Sequence, residues 1–429
     1  MSAAPPVPNS DSLPELLNDH CHVGEVNGTS KLLYYAKSDF IAIDSNQLPL
    51  EYGDCVNVLE QANSEWWWAE LGGSYGYVPG NHLSPTPPEP IDQWENEEYF
   101  GSYGNLKLHL EMLKDQPRMT AYQSAIKEAA HFIKDKVVLD VGCGTGIMSL
   151  LAAKVGGAKK VFGVEASEIA EHAEAVVCQN SLEGVVSVFH CKMEEAVLPE
   201  KVDLILSEWM GTFLIFEMML ECVLIARDKW LKPDGVMWPS HATLYLVPCT
   251  AQQEYDDKIT FWKNVCGMDF SPLIPLAHDH FYSVPIYNHS LESKDCLSDT
   301  KSILKLHLKS INLSDIEDIS SQFDYNITKS GVMHGFASWF QVEFSDIPSW
   351  DSPVILSTGP EQPSTHWKQD LLMVNTPLEV FPGDHVIGSI RMTRNKRWRR
   401  HIKVNLTYQV MRNDQPIIEK NVKEFTLWK

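Results

Sequence analysis

The chain is short of cations. Its 429 residues hold 35 Lys and Arg against 57 Asp and Glu, a formal net charge of −22. Such a surface repels phosphate, so neither nucleic acid nor anionic lipid is expected as a direct partner, and cationic substrates are favoured instead. Paired cysteines are also missing. The nine cysteines are scattered without C-x-x-C spacing, which argues against a disulfide framework and against a zinc site, so no metal is expected. No long apolar run is free of charge. The most apolar stretch, Trp209 to Ala226, contains Glu217 and Glu221, so no membrane span is expected. Residues 1–19 have neither a basic start nor an apolar segment, which excludes a secretory signal. These absences point to a reducing, intracellular compartment. Triplets such as Asn326-Ile327-Thr328 are therefore read as inert rather than as glycosylation sites.

What is present falls into three regions, within the two or three domains that this length suggests. Residues 1–29 are Pro-rich, polar and aperiodic, and are expected to be disordered. Short strand-like runs with turns follow, from Leu32 to Leu83, giving a first domain over 30–85. The Pro-rich segment Pro85 to Pro90 then opens a stiff linker, expected over 86–98. From Tyr99 to Trp238 helices alternate with apolar strands. The reading is a helix at Ala121 to Ile133, a strand at Lys136 to Asp140 and a helix at Ile147 to Lys154. A strand at Val161 to Glu165, a helix at Ile169 to Asn180 and strands at Val185 to His190 and Val202 to Ser207 complete it. Such alternation gives a mostly parallel sheet with helices on both faces. After Pro239, partly alternating strands at Ala242 to Val247, Ser338 to Phe344, His385 to Thr393 and Ile402 to Val410 suggest an antiparallel barrel over 239–429. A partly helical insertion, about 252–281, separates the first two.

The strongest local signal is Val137 to Met148. A strand ends at Asp140, glycines stand at 142, 144 and 146, and a helix begins. Glycine lets the backbone turn sharply and approach a ligand closely. A dinucleotide loop needs its third glycine at 147, which is Ile147; the spacing found favours an adenosine-type ligand without pyrophosphate. Glu165 ends the next strand, where a carboxylate can accept both ribose hydroxyls. The loop resembles motif I of class I S-adenosylmethionine-dependent methyltransferases. That implies S-adenosylmethionine as cofactor and S-adenosylhomocysteine as product, with a Rossmann-like fold over 99–238 binding it through Asp140, Gly142, Gly144, Gly146 and Glu165.

Ser207 to Glu217 follows the last parallel strand with a carboxylate at each end, Glu208 and Glu217. Two such groups in one pocket repel unless a cation lies between them, and guanidinium suits the place, being planar, charged and able to pair bidentately. Spacing alone equally permits a strand-ending Glu208 and a Glu217 that opens a helix. The wording of the segment is similar to the double-E loop of protein arginine methyltransferases. The resemblance extends over residues 99–429. Tyr99-Phe100-Gly101-Ser102-Tyr103 looks like the family's cover over the cofactor; His109 and Arg118 continue that motif, Arg118 facing the methionine carboxylate. Met193 and Glu194 match the adenine-contacting pair. Thr365-His366-Trp367 matches a loop lining the substrate pocket, with Met210 and Trp367 implied as substrate contacts. His366, oriented by Asp115, is the candidate proton acceptor. Thr212 departs from the family, where many relatives carry an aromatic ring. A small-molecule methyltransferase is the weaker reading, because it needs no double-E loop.

The resemblance implies a type I enzyme giving mono- and asymmetric dimethylarginine on histones and Arg/Gly-rich proteins. It also implies a role in transcription beside nuclear receptors or other transcription factors, in cytoplasm and nucleus. The alternative is a weakly active enzyme acting mainly as a scaffold or co-regulator. The insertion at 252–281 looks like the family's dimerisation arm, with Phe261, Trp262 and Val265 as candidates for its apolar face or, equally, for local core, and a homodimer is expected. Phe40, Glu65 to Trp68 and Gly76 to Asn81 resemble an SH3 domain that binds Pro-rich ligands in a groove of Phe40, Trp66, Pro79 and Asn81. Ser38 and His82 stand where groove tyrosines are usual. Three adjacent tryptophans on one strand cannot all be buried by simple alternation, which favours a binding module. The basic run Arg391 to Arg400 could contact an acidic partner or nucleic acid, but is read first as a solvated turn between strands.

Overall fold

Two adjoining strands explain the amino-terminal region. Val56 and Val58 of one and Ala69 of the other turn inward, and the interior they share also takes Ala36, Leu48, Leu50, Val78 and Leu83. The structure, a computed structural model, describes residues 32–427 apart from 45, 51, 64, 87–90, 348–349 and 351. The expected disordered segment 1–29 lies outside the described residues. The chain divides into two units, Met1–Trp94 and Glu95–Lys429.

In the first unit, β1 (Leu32–Ala36), β2 (Cys55–Glu60), β3 (Trp66–Leu71), β4 (Ser74–Pro79) and β5 (Leu83–Ser84) form one antiparallel sheet in the order β4-β3-β2-β1-β5. The expectation that β3 must leave a tryptophan bare is corrected. Trp67 turns into the interior beside Tyr34, their rings 5.0 Å apart. Trp66 and Trp68 lie on the other face, only 4% and 8% exposed. Alternation does separate them, but Phe40 and Tyr77 cover the outer face, so neither side of the strand is open.

The second unit begins in helix α1 (Ile91–Tyr103), followed by α2 (Leu106–Lys114), α3 (Gln116–Glu128) and α4 (Ala130–Ile133). The linker expected over 86–98 is therefore shorter, because the chain is helical from Ile91. Contacts from residues some 300 positions away hold α1, as described below. The single helix expected at 121–133 is two helices broken at Ala129, and the first starts earlier. Asp115 caps it by accepting the Arg118 backbone N–H at 3.0 Å, and proline stands in its first turn.

Next come β6 (Val137–Val141), α5 (Ile147–Lys154), β7 (Lys160–Glu165), α6 (Ile169–Gln179), β8 (Val186–His190), β9 (Val202–Ser207), α7 (Leu220–Trp230) and β10 (Leu231–Trp238). The five strands are parallel in the order β10-β9-β6-β7-β8. All five residues of β6 are buried, as a central strand covered on both faces requires. The chain runs outward from β6 through β7 and β8, then returns to β9 on the other side of β6. This reversal leaves a crevice at the carboxyl ends of β7, β6 and β9, where open α/β sheets bind ligands.

The remainder is an antiparallel barrel of two sheets. One holds β11 (His241–Cys249), β12 (Ile286–His289), β13 (Lys301–His307), β15 (Gly331–Phe344), β16 (Val354–Ser357) and β17 (Gln369–Val380). The other holds β14 (Asp318–Asn326), β18 (His385–Arg394), β19 (Ile402–Arg412), β20 (Gln415–Pro416) and β21 (Asn421–Leu427). Between β11 and β12 lie α8 (Gln252–Lys258) and α9 (Ile274–Tyr282). Of the apolar residues expected to face a partner there, only Phe261 is exposed; Trp262 packs on a local core with Tyr282 and Val247, and Val265 is half-buried. Met268, Phe270, Leu273 and Leu276 are the arm's other exposed apolar side chains. No helix among the described residues is long and apolar enough to cross a membrane, and the eight described cysteines are free thiols.

Candidate active site

The glycine loop after β6 sits at that crevice. Gly144 is left-handed, and a Cβ there would lie 3.1 Å from the His109 ring, so the close approach of loop and imidazole needs glycine. The Gly144 N–H donates to Glu165 Oε2 at 2.9 Å, and Ser167 donates its N–H and hydroxyl to Oε1 at 2.8 and 2.7 Å. The acid is thus fixed at the end of β7 by the loop itself. Gly142 and Asp140 line the same pocket, whereas Gly146 does not. Gly146 lies behind the wall as the left-handed N-cap of α5, so its expected ligand contact becomes a role in turning the chain. Asp140 accepts the Ser149 hydroxyl at 2.7 Å. Burial pushes its carboxyl up to about 6, against that hydrogen bond and with Glu165 adding to the rise.

Helices α1 to α3 close the pocket. Tyr99, Phe100, Tyr103, His109 and Arg118 all line it. The His109 ring contacts the Tyr103 carbonyl through Nε2 at 2.7 Å. Burial, reinforced by neighbouring groups including Glu217, holds both tyrosine hydroxyls well above their ordinary value. Tyr103 is therefore a donor, and it donates to Glu217 Oε2 at 2.8 Å. Arg118 donates through Nε to Glu208 Oε2 at 3.1 Å and through Nη1 to the Met112 carbonyl at 3.0 Å. On the far wall, Met193 is buried and Glu194 is exposed, both lining the pocket. The Cys222 thiol is 3.5 Å from Glu194; burial, with Glu194 next, pushes the thiol up to about 12.

The two carboxylates expected from the sequence are brought together on this pocket. Glu208 follows β9 directly. The chain then folds tightly, with left-handed Phe213, Leu214, Glu217 and Met218, a concentration of strained backbone of the kind functional loops carry. Three braces hold the loop. Trp367 donates its indole N–H to the Met210 carbonyl at 2.9 Å, Asp370 accepts the Phe213 N–H at 3.0 Å, and the Gly211 N–H donates to Leu214 at 2.9 Å. Met210, Thr212, Trp367 and His366 all line the pocket. Asp115 Oδ2 accepts from the His366 backbone N–H at 2.8 Å and lies 2.6 Å from its Nδ1. Burial raises the Asp115 carboxyl, but these bonds and the Arg118 N–H outweigh it and hold the group below its ordinary value.

Several pocket residues were not expected from the sequence: Lys192, Met219, Cys222, Asn288 and Arg400. Arg400 had a signal, the basic run at 391–400, but the reading of a solvated turn is corrected. Arg394 is buried and pairs with Glu317 and Glu221, Arg399 pairs with Glu317 at 2.6 Å, and Arg400 points into the site. Away from the pocket, His241, His307 and Asp346 bring potential ligand atoms within 4.8 Å of one another; both His307 nitrogens already meet Asp346 and Ser310, and His241 Nδ1 lies 3.2 Å from the hydroxyls of Ser240 and Ser345.

In the first unit, the four expected groove residues differ in exposure. Phe40 is half-buried against Trp66, Trp66 and Pro79 are buried, and Asn81 is exposed. The Ser38 hydroxyl and His82 Nδ1 are 2.9 Å apart, and the His82 ring lies 5.7 Å from Phe40.

Comparison with known proteins follows the same division. Residues 33–86 match the family model of a variant SH3 domain, 138–235 that of a methyltransferase domain, and 240–414 that of an arginine methyltransferase oligomerization subdomain. Human protein arginine N-methyltransferase 2 is 46% identical over 399 residues, 92% of each chain. Among solved structures, the Trypanosoma brucei PRMT1 enzyme–prozyme heterotetrameric complex with AdoHcy is similar with a TM-score of 0.69 and 34% identity, covering 76% of this chain and 100% of that one. Arabidopsis thaliana protein arginine methyltransferase 10, in an open conformation, has the same TM-score and 32% identity, covering 76% and 99%.

Proposed function

The chain belongs to the protein arginine N-methyltransferase family, and we propose that it transfers methyl groups from S-adenosylmethionine to guanidino nitrogens of arginine in proteins. The observation that carries this reading is the pair Glu208 and Glu217 on one pocket with the glycine loop and Glu165. The pocket's residues fit the donor. The left-handed glycine loop leaves room against His109, Glu165 is fixed for a ribose diol, and Arg118 keeps Nη2 without a partner among the described residues, available to a carboxylate. When bound, S-adenosylmethionine supplies an electrophilic methyl on a sulfonium.

The chain's own residues do the rest. Glu208 and Glu217 hold the guanidinium by charge-assisted hydrogen bonds, each retaining acceptor capacity beyond its present partners. Positive charge is drawn toward the two nitrogens they grip, leaving the third richer in electron density. Holding that nitrogen in line supplies much of the acceleration. Asp115 accepts from His366 Nδ1–H, which leaves Nε2 of the neutral ring as the proton acceptor once the methylated guanidinium has formed.

Mono- and asymmetric dimethylarginine as products, and histones and Arg/Gly-rich proteins as substrates, rest on family resemblance and on the net charge of −22, which favours cationic chains. Such substrates, with nuclear receptors or other transcription factors as partners, place the protein in cytoplasm and nucleus as a transcriptional co-regulator. The SH3-type unit recruits Pro-rich ligands, and the arm supports a homodimer. A second reading, a weakly active enzyme that serves mainly as a scaffold, is favoured by Thr212 on the pocket wall where many relatives carry a ring.

Mass spectrometry of an Arg/Gly-rich peptide incubated with the protein and S-adenosylmethionine tests the proposal. Added methyl groups are expected with the wild type, and Glu208→Gln lowers the rate by about 10²- to 10³-fold, the usual cost of removing one pre-aligned electrostatic partner. An unmodified peptide with the wild type, or an unchanged rate in the variant, overturns it.

A further inference from the structure

Arg400 belongs to the turn between β18 and β19, far in sequence from the pocket it lines. Its contacts converge from two directions. On one side, its Nη1 donates to the Glu217 carbonyl at 2.8 Å, and its own carbonyl accepts the Glu217 N–H at 3.2 Å. On the other, its Nη2 donates to Asn96 Oδ1 at 2.7 Å and its backbone N–H to Glu95 Oε1 at 2.8 Å. The guanidinium carbon lies 3.7 Å from the centre of the Tyr99 ring and 5.3 Å from that of Phe100. The guanidinium thus grips the carbonyl of a left-handed glutamate and the aromatic face of α1, while the Arg400 backbone carbonyl holds that glutamate's N–H.

The turn that presents Arg400 is itself anchored. Asn395 accepts the backbone N–H groups of Arg397 and Trp398, and Arg394 ties the turn to Glu317 and to Glu221 of α7. The guanidinium is therefore delivered from a rigid base. Glu217 has a φ of 71°, which a residue with a Cβ keeps only when its surroundings hold it. Tyr103, one helical turn on from Tyr99, closes the circuit by donating to the Glu217 carboxylate.

We propose that Arg400 is a positioning residue, a clasp that fixes the Glu217 backbone to the Tyr99–Tyr103 face of α1, so that the cover of the donor site and the second acid of the substrate site hold a single geometry. The inference rests on the functional reading above. Lysine cannot reproduce the clasp, because its ammonium neither stacks flat on Tyr99 nor spans Asn96 and the Glu217 carbonyl with two fixed donors.

The test compares Arg400→Ala, Arg400→Lys and Arg399→Ala in the full chain. Arg399 occupies the same turn, but among the described residues its side chain pairs only with Glu317. Melting temperature, affinity for S-adenosylhomocysteine by calorimetry, and kcat and KM for an Arg/Gly-rich peptide are measured for each. Both Arg400 variants are expected to lose about 10- to 100-fold in kcat, the scale of a misplaced reacting group, to bind S-adenosylhomocysteine several-fold more weakly and to raise the peptide KM. Arg399→Ala stays within about twofold of wild type in all three, and the variants melt within a few degrees of one another. Arg400→Ala kinetics equal to those of Arg399→Ala overturn the clasp, as does a loss that only follows the fraction unfolded. If Arg400→Ala does not fold, wild-type kinetics in Arg400→Lys overturn it. A wild-type protein that binds S-adenosylhomocysteine but methylates no peptide sinks the functional reading instead, and the affinity comparison then decides the clasp alone.

Discussion

Asp140 shows how far a single side chain can be tuned by where its strand ends. Its carboxyl is 1% exposed, and burial pushes it up to about 6. A group raised above its unfolded value of 3.8 favours the fold fully below that value and loses this contribution as pH rises through about 6. At neutral pH the ionised form therefore works against the fold. Asp140→Asn is expected to be more stable than wild type above pH 6, by on the order of 1–3 kcal/mol, with the difference gone below pH 4. Thermal melts across that range without donor check this; parallel curves would refute it. Asp115 has the opposite sign. Its carboxyl is held low, so its contribution is present above the ordinary carboxylate range and is lost on acidification. At this scale the sequence was legible wherever the signal was local. The glycines, Glu165 and Glu208 all stand beside the ends of strands that hydrophobic runs predict. Arg400 was not legible, since its partners Glu95, Asn96 and Glu217 lie 183 to 305 positions away.

The acid loop between β9 and α7 is an element without regular structure, and its shape depends on one small residue. A Cβ on Gly211 would lie 2.2 Å from the Phe216 carbonyl oxygen, a backbone atom that cannot step aside cheaply. Gly211→Ala must therefore open the loop and misalign Glu208 against Glu217. A fall in kcat of at least about tenfold is expected, with the melting temperature lowered by only a few degrees; steady-state kinetics and a thermal melt measure both. The letters of this loop were readable in the sequence, but its left-handed residues were not, because Phe213, Leu214, Glu217 and Met218 have no intrinsic preference for that region. Helix α1 went unread for a related reason: Arg400 and the turn behind it hold it from a point far away in the sequence.

At the scale of the whole molecule, exposed large apolar side chains recur in the first unit and in the arm. Phe261 and Leu276 are 51% and 64% exposed, with Met268, Phe270 and Leu273 between them. Loss of water contact by such a face is worth about 25 cal/mol per Å², which favours a second copy over solvent. The double variant Met268→Glu, Leu276→Glu is expected to sediment as a monomer at micromolar concentration and to lose most of its methyl transfer. A variant dimer indistinguishable from wild type would contradict this. The parallel sheet and the antiparallel barrel after it were readable from patterning, the one as helices alternating with apolar strands and the other as partly alternating strands, whereas the type of the amino-terminal β unit came from its resemblance to an SH3 domain. The identity of the arm's outer face was not, because Trp262 and Phe261 are equally apolar and only the fold decides which packs inward.

The tryptophans of β3 carry a consequence for how the amino-terminal unit can diversify. Trp66 belongs to a packed cluster with Trp68, Tyr77 and Phe40, so exchanging it alters folding and recognition at once. Asn81 is exposed, whereas Ser38 and His82 hold each other and His82 also packs on Phe40. A lineage seeking new ligands for this unit can vary Asn81 most cheaply, must change Ser38 and His82 together, and leaves the aromatic floor under the scrutiny of stability.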